Sequence, residues 1–448
     1  MLLALVGAVF SAGCGGCSGD TTCQSDFNNG TGDQPFKPTT HLSYRSIVTN
    51  YYAGALNVVD AYKDRLTTYS FTVGTQPTYM QSSPDGTLTL VNNTGSGTIS
   101  SFDNRQEAVK ATIILQGYTE SFVTSQSNKF GFAAVYNYSN GIPTNNNGTI
   151  ENAPGAIARF NPTDGSLLPF VPLTYVRYLA MDVAEKHLLA FTDMPEPNTA
   201  VDPNVNDTAY QAHWVDLTVN TAENLPALSI LPLPFGTLSR PVAAFFSTDG
   251  NTAYILNCGV ECGGSSNTIN GTMYPAWITV VNVSNPAAAT VTAQWGVQGA
   301  QVGYMDLTGN KLYVAGSATK LTDSGGNTVG DGHFTIVDLT AGPTASITIG
   351  NGSKRIIRNI NGVFWIGAQN CGVQSCITMV DPKTTQTTIA PLSLPKGDAT
   401  GITLNLNSGE VYTIEGQELQ IYDQKANPII SEYNTDVHGQ GYDVLYIH

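Results

Sequence analysis

The stretch 76–93, QPTYMQSSPDGTLTLVNN, continues into 97–103, GTISSFD, and 110–115, KATIIL. Each piece is short and rich in apolar and β-branched residues, and turn residues such as Ser83-Pro84-Asp85-Gly86 separate the pieces. The pattern predicts four short strands in succession. Four strands joined by tight turns are typical of one blade of a β-propeller.

The end of the third strand of this unit, a hydrophobic residue followed by Asp or Asn, recurs at intervals of roughly 40–65 residues. A period in this range is typical of solenoids, propellers or arrays. The eight copies are Val59-Asp60, Phe102-Asp103, Phe160-Asn161, Val215-Asp216, Val281-Asn282, Val337-Asp338, Val380-Asp381 and Tyr422-Asp423.

The way the ring closes follows from a mismatch between two counts. Seven turns of the type that joins a first strand to a second are recognisable, against the eight third-strand endings. The first repeat, from Tyr44, lacks a first strand, whereas the final segment, 441–448, is one strand with nothing after it. Pairing the two removes the open sheet edges that invite aggregation. We therefore predict an all-β chain with a single propeller of eight four-stranded blades, closed by the C-terminal strand; seven blades is the alternative.

Composition excludes one class of partner. The chain has 448 residues, a formal net charge of −15 and no basic run, so binding to a phosphate backbone is not expected. We expect a monomer with three parts: a signal-like segment at 1–13, a flexible tether at 14–40 and the propeller at 41–448.

The N-terminus resembles a bacterial lipoprotein signal. The apolar run 2–10 is too short to span a bilayer and is followed by Ser11-Ala12-Gly13-Cys14. The resemblance implies lipidation of Cys14 and a location outside the cytoplasm, with contact to a membrane only through the lipid. No Lys or Arg precedes the run and Ser11 stands where Leu is usual, so ordinary cleavage and export is the alternative.

Residues 75–115 also resemble the YVTN-type β-propeller repeat of bacterial surface-layer and lactonase-like proteins. The resemblance is carried by Gln76-Pro77, Ser83-Pro84-Asp85-Gly86, Leu90-Val91-Asn92-Asn93 and Phe102-Asp103. It implies the fold and leaves the reaction open, because function lies in sites built onto the scaffold.

Insertions distinguish one face of the predicted ring. Blades 3 to 6 carry extra residues between their second and third strands, B and C, at 138–154, 195–207, 259–274 and 321–332. Since all B–C loops emerge on one face, this face is elaborated over about half the ring. Long loops on a rigid scaffold are where binding residues usually lie, although neutral drift at tolerated positions would give the same pattern.

Two loops contain similar cysteine pairs, Cys258/Cys262 and Cys371/Cys376, and the tether contains a third, Cys17/Cys23. Outside the cytoplasm each pair is expected to form a small disulfide loop. A zinc site made of the four loop thiolates is the alternative for the first two pairs.

Cations are scarce in this chain, yet several lie where the first strand, A, of a blade begins. Because strand A lines the channel, they could converge at its mouth together with tyrosines and bind an anionic or sugar-like ligand. The alternative is that each Arg pairs with a carboxylate of a neighbouring blade. The candidate residues are Arg177, Arg240, Lys354, Arg355, Tyr79, Tyr304 and Tyr442.

No catalytic motif and no cofactor fingerprint is recognisable, and the six histidines show no metal-ligand spacing. Asp323, Asn327 and Asp331 form a weak calcium candidate. The sequence therefore favours a binding or scaffold module over an enzyme, with a small molecule, a glycan or a protein as ligand. A lactonase-like hydrolase and a structural cell-envelope protein are the alternatives.

Overall fold

The computed structural model describes residues 39–115, 117–138, 142–143, 150–151, 155–192, 196–197, 208–217, 228–317, 321–322, 328–329, 332–349, 353–369, 376–389, 397–424, 430–435, 437 and 440–447. Within these residues the chain forms eight antiparallel four-stranded sheets, which are the eight blades of a β-propeller. The prediction of eight blades is confirmed.

Each blade is named by its strands A to D in order from the channel outward. Blade 1 has Gly441–Ile447, Arg45–Asn50, Ala55–Asp60 and Arg65–Thr72; blade 2 has Pro77–Ser82, Leu88–Asn93, Thr98–Asp103 and Ala108–Ile114; blade 3 has Gly117–Thr124, Gly131–Tyr138, Ala156–Phe160 and Leu167–Pro172; blade 4 has Val176–Met181, His187–Thr192, Ala212–Asp216 and Leu228–Ile230.

The second half of the ring continues the same order. Blade 5 has Pro241–Phe246, Thr252–Asn257, Ala276–Asn282 and Thr290–Val297; blade 6 has Val302–Asp306, Lys311–Ser317, Gly332–Asp338 and Gly342–Ile349; blade 7 has Ser353–Arg358, Phe364–Ala368, Ile377–Asp381 and Gln386–Ile389; blade 8 has Ala399–Leu404, Val411–Glu415, Glu418–Asp423 and Ile430–Thr435.

The C-terminal strand closes the ring. Gly441–Ile447 pairs antiparallel with Arg45–Asn50, with Ile447 opposite Arg45 and Leu445 opposite Ile47. It thereby becomes strand A of blade 1, as the count of turns and strand endings predicted. Every described blade thus has four strands, and the first blade contains both ends of the propeller.

Small hairpins lie between strands B and C of blades 3 to 6 and mark one face of the ring, which we call the insertion face. Their strands are Ile142–Pro143 with Ile150–Glu151, Glu196–Pro197 with Thr208–Ala209, Asn267–Ile269 with Thr272–Tyr274, and Leu321–Thr322 with Thr328–Val329. The A–B and C–D turns form the opposite face, the turn face. The two helices among the described residues are the short 3₁₀ turns Gly259–Cys262 and Pro286–Ala288. No described helix is long and apolar enough to cross a membrane.

The core is divided among the interfaces between blades. Alternate side chains of strands B and C pack on each side of a blade, so each cluster of buried residues joins two neighbouring blades. At the closing interface, Val48 and Val444 of blade 1 pack with Tyr412 and Ile421 of blade 8. The ring is therefore stabilised by continuous contact between blades around the channel.

A buried ion pair fixes the point where the chain enters the propeller. Arg45 Nη1 lies 2.7 Å from Glu107 Oε1, and both side chains are almost fully buried. The same carboxylate accepts hydrogen bonds from the backbone N–H and the hydroxyl of Thr40, at 2.6 and 2.7 Å. Glu107 belongs to the C–D turn of blade 2, so the N-terminal segment leaves the propeller on the turn face.

Candidate functional site

Strands A form the inner ring of the propeller, and neighbouring strands A contact one another around most of it. Each strand A begins on the insertion face and runs toward the turn face. Side chains near its beginning therefore lie at the mouth of the channel on the insertion face. The candidate site is built from such residues in blades 1, 2, 3, 4 and 7.

The first part of the site joins blades 3 and 4. Arg177 Nε donates to Glu120 Oε2 at 2.7 Å, and the two side chains are 33% and 30% exposed. Tyr118 donates its hydroxyl proton to the other oxygen of Glu120 at 2.6 Å. Burial raises the pKa of Tyr118, and the hydrogen bond to Glu120 raises it further, so this hydroxyl remains a proton donor. The result is a partly open group with a guanidinium, a carboxylate and a phenol.

The second part joins blades 7, 8, 1 and 2. Arg355 Nη2 lies 3.2 Å from Asp443 Oδ2, and Arg355 Nε donates to the carbonyl oxygen of Thr400 at 3.0 Å. The guanidinium carbon also lies 4.9 Å from the centre of the Tyr79 ring, within the range of a cation–π contact. The Arg355 side chain is 27% exposed, so it remains partly open to solvent.

Asp443 is the buried anchor of this second part. Its Oδ2 accepts the backbone N–H of Met80 at 2.8 Å, and its Oδ1 accepts that of Val444 at 3.0 Å. Burial raises the pKa of the Asp443 carboxyl, whereas Arg355 and the two backbone donors act in the opposite direction. Burial therefore favours the protonated form of the carboxyl, and Arg355 favours the ionised form.

Tyr442 lies between the two parts. Burial raises the pKa of its hydroxyl, Arg355 opposes the rise, and the charges of Asp443 and Glu120 add to it. The ring of Tyr442 stacks on Tyr51, with 6.2 Å between centroids and 24° between planes. Tyr51 in turn contacts Tyr52, which is 75% exposed on the insertion face. An aromatic surface thus extends from Tyr442, beside Arg355 and near Glu120, to the exposed Tyr52.

Both guanidinium groups of the site are paired with carboxylates. Arg177 pairs with Glu120, and Arg355 pairs with Asp443. Arg177, Glu120 and Arg355 are partly exposed, so the site offers both donors and acceptors of hydrogen bonds, which suits hydroxyl-rich molecules. Aromatic rings beside such groups offer flat apolar faces, so the site suits a ligand with both polar oxygens and apolar faces.

Other candidates lie outside this group. Arg240, just before strand A of blade 5, has its guanidinium carbon 5.5 Å from the centre of the Tyr210 ring. Its backbone oxygen accepts the N–H of Cys258, so it lies beside the disulfide loop of the blade 5 insertion. The ring of Tyr304 packs edge-on against Phe364 of blade 7, with 5.5 Å between centroids, as part of an interface between blades. The side chain of Lys354 lies outside the described residues.

Sequence reasoning missed four members of the site, namely Tyr51, Tyr118, Glu120 and Asp443. A signal for Tyr118 was present, because strands A of blades 1 and 3 both begin with Gly-Tyr, at 441–442 and 117–118. Nothing in the sequence pairs Glu120 with Arg177 or Asp443 with Arg355, since these contacts depend on the curvature of the ring.

Some of the cysteine candidates lie among the described residues, whereas the other cysteines and the calcium candidates do not. Cys258 and Cys262 form a disulfide with 5.7 Å between Cα atoms, which removes their thiolates from the alternative zinc site. Cys376 is disulfide-bonded, whereas Cys371, Cys14, Cys17 and Cys23 lie outside the described residues, as do Asp323, Asn327 and Asp331. Among the residues described, no three His, Cys, Asp or Glu side chains are close enough together to hold a metal ion.

The sequence matches no family profile and no curated protein. The fold is similar to many solved propellers. Dihydro-heme d1 dehydrogenase NirN in complex with DHE has a TM-score of 0.58 and 12% identity over 92% of this chain and 79% of its own. The apo form of AztD from Citrobacter koseri has a TM-score of 0.52 and 11% identity, and the match covers 90% of this chain and 97% of its own. A putative 6-phosphogluconolactonase from Bacteroides fragilis has a TM-score of 0.51 and 15% identity, and the match covers 92% of this chain and 99% of its own. Identities this low establish the propeller fold alone.

Proposed function

We propose that this chain is an extracytoplasmic, lipid-anchored propeller that binds a ligand rich in hydroxyl or carboxylate oxygens at the channel mouth on its insertion face. The observation that carries the proposal is that Tyr442, stacked on Tyr51, lies within electrostatic range of members of two guanidinium–carboxylate pairs, one from blades 3 and 4 and one from blades 7 and 1. A glycan or a sugar-like small molecule fits this chemistry.

The experiment uses Arg177→Met, Arg355→Met and, as matched control, Arg358→Met. Arg358 also pairs with a carboxylate, Asp306, at 2.7 Å and is 31% exposed, but it ends strand A on the turn face. Binding of D-glucose, D-glucuronate and inorganic phosphate, and of an immobilised glycan panel, is measured by calorimetry and by fluorescence. We expect the first two variants to weaken binding at least tenfold and the control to bind like the parent.

The result that contradicts the proposal is equal weakening by Arg358→Met, because binding would then not depend on the insertion face. A preference among the probes identifies the ligand class. D-glucuronate over D-glucose indicates that a guanidinium leaves its carboxylate partner for the ligand, whereas equal binding indicates recognition through hydroxyl groups. Arg240→Ala then tests whether the blade 5 insertion reaches the same ligand.

The location rests on the lipoprotein-like N-terminus, with Cys14 as the lipidated residue. Replacing Cys14 with Ser is expected to move the protein from the membrane fraction to the soluble fraction, while a Cys17→Ser control remains with membranes. If parent and Cys14→Ser fractionate alike, the lipid anchor is wrong, and the ligand site can still be tested on the soluble protein.

A lactonase-like hydrolase is the second candidate, favoured by one observation. Asp443 is a buried carboxyl with a raised pKa beside Arg355 and Tyr79, and raised carboxyl pKa values occur at acid–base sites. Opening of δ-gluconolactone releases a proton and can be followed by pH-stat titration. Hydrolysis above background by the parent, lost in Asp443→Asn, would support this candidate. A purely structural envelope protein would neither bind nor hydrolyse any of these probes.

A further inference from the structure

The A–B turns on the turn face fall into two groups. In blades 4, 6, 7 and 8 an Asp or Asn is followed directly by an aliphatic residue, whereas in blades 2, 3 and 5 a Ser is followed by Pro, Gln or Thr. The aliphatic residues are exposed: Val183 by 53%, Leu307 by 40%, Ile360 by 62% and Leu406 by 56%.

Turn geometry does not require these aliphatic side chains. The preceding Asp or Asn already satisfies the turn: Asn359 Oδ1 accepts the N–H of Asn361 and Val363, and Asn405 Oδ1 accepts that of Asn407. The next position points away from the propeller and is occupied by Pro, Gln or Thr in blades 2, 3 and 5. Exposed apolar groups that the fold does not need commonly mark a contact surface.

Three of the four lie in neighbouring blades. We call Leu307, Ile360 and Leu406, from blades 6, 7 and 8, the apolar arc. A Cβ placed on Gly409 would lie 2.7 Å from Ile360 Cδ1, so the Ile360 side chain extends to the A–B turn of blade 8. The arc therefore runs along the rim of the channel on the turn face.

Two cations on the turn face are paired with carboxylates, whereas Asp64 and Glu410 form a pair of carboxylates at the A–B turn of blade 8. Arg358 pairs with Asp306 at 2.7 Å, and Lys311 pairs with Asp338 at 2.9 Å. These pairs lower the cost of bringing the arc against an uncharged surface. An anionic surface is disfavoured by the net charge of −15 of the chain.

The N-terminal segment leaves from the same face. Thr40 is held by Glu107 in the C–D turn of blade 2, so the described part of the chain begins on the turn face. The tether predicted from the sequence at 14–40 would, as a flexible chain, span about 25–30 Å on average. The lipid proposed on Cys14 would thus keep the turn face within reach of the bilayer, and would leave the channel mouth on the insertion face directed away from it.

We propose that the apolar arc docks the turn face on the surface of a zwitterionic bilayer. The inference rests on the lipid anchor of the proposed function. Single aliphatic side chains at the tips of separate turns suit a fluid interface better than the shaped pocket of a protein partner. Membrane proteins with a lipid anchor commonly need a second signal for stable attachment, and the arc would supply it.

The test compares Leu307→Ser/Ile360→Ser/Leu406→Ser with a matched triple variant on the insertion face, Ile114→Ser/Val260→Ser/Met273→Ser. The control residues are 55%, 40% and 70% exposed, so a similar number of exposed apolar side chains is removed from the opposite face. All chains are full length and carry Cys14→Ser, so that no lipid contributes. Flotation with phosphatidylcholine vesicles is expected to fall at least fivefold for the arc variant and to stay at the parental level for the control.

A second measurement does not depend on residual binding by the N-terminal segment. An environment-sensitive fluorophore on Ile360→Cys is expected to shift to the blue when phosphatidylcholine vesicles are added, whereas the same fluorophore on Met273→Cys is not. Equal emission with and without vesicles at Ile360→Cys overturns the inference. So does a dimer that the arc variant converts to a monomer in light scattering, because the occupant would then be a second copy. If only the Cys14 fractionation test fails, vesicle flotation and fluorophore emission still test the arc, because neither measurement depends on a lipid at Cys14.

Discussion

Arg355 of blade 7 and Asp443 of blade 1 are joined across blade 8, with 3.2 Å between Nη2 and Oδ2. The same carboxylate oxygen accepts the backbone N–H of Met80 in blade 2. One buried carboxyl therefore connects blades 7, 1 and 2, which places a structural tie and a half-exposed guanidinium at the same point of the channel. Changes here are expected to affect stability and ligand binding separately, depending on which partner is removed.

Replacing Asp443 separates its two roles. Asp443→Ala leaves the buried N–H groups of Met80 and Val444 without acceptors, so we expect a loss of about 1–3 kcal/mol in the free energy of unfolding. Asp443→Asn keeps an acceptor oxygen and is expected to lose less. Denaturant unfolding of the two variants beside the parent measures the difference; equal losses would mean that the backbone donors do not depend on this side chain.

The raised pKa of Asp443 also predicts a pH dependence. The folded protein holds this proton more tightly than the unfolded chain, whose Asp pKa is about 3.9. The contribution of this group to stability is therefore fully present below the unfolded pKa and is lost as pH rises through the folded pKa. Asp443→Asn should remove this fall, which unfolding curves recorded from pH 4 upward will show. A parent and variant with parallel pH profiles would contradict the shift.

Deleting residues 440–448 tests the closure of the ring. The deletion removes strand A of blade 1, including Val444 and Ile447, each only 2% exposed. Burial of two such side chains alone stabilises the fold by about 3–6 kcal/mol. We therefore expect a large drop in melting temperature, whereas deletion of His448 alone should have little effect. A melting temperature unchanged by the longer deletion would be inconsistent with the C-terminal strand as the closing element.

The ion pair Arg45–Glu107 and the exposed pair Lys110–Asp103 form a natural comparison. Glu107→Gln leaves the buried Arg45 without its counter-charge and should cost about 3–5 kcal/mol of unfolding free energy. Lys110 is 38% exposed and lies 3.6 Å from Asp103, so Lys110→Met should cost about 1 kcal/mol or less. Thermal unfolding of the two variants in parallel gives the contrast, and similar losses would show that burial does not control the strength of these pairs.

The disulfide Cys258–Cys262 closes a loop of very few residues. Loop-closure entropy predicts that it contributes about 2 kcal/mol or less to stability. The double variant Cys258→Ala/Cys262→Ala should therefore remain folded, with a modest shift in its denaturation midpoint. A loss well beyond this range would mean that the bridge supports the whole domain and not only the insertion that lies beside Arg240.

The sequence by itself determined the architecture. Short apolar segments, the turn residues between them and the repeated Asp or Asn after strand C are local features, so they can be counted without knowledge of the fold. The count also predicted that Gly441–Ile447 completes blade 1, because a strand without partners would leave a sheet edge open. The beginning of strand A was likewise recognisable as the place of Arg177, Arg355, Tyr79 and Tyr442.

Only the tertiary structure decided which of these residues act together. Arg355 and Asp443 are 88 positions apart and meet because the ring brings blades 7 and 1 to the same side of a narrow channel. Tyr304 lies near the beginning of a strand A, as Tyr442 does, yet its ring packs against Phe364 at an interface between blades. Local pattern defines strands and turns, whereas contacts across the channel arise from the curvature that all eight blades produce together.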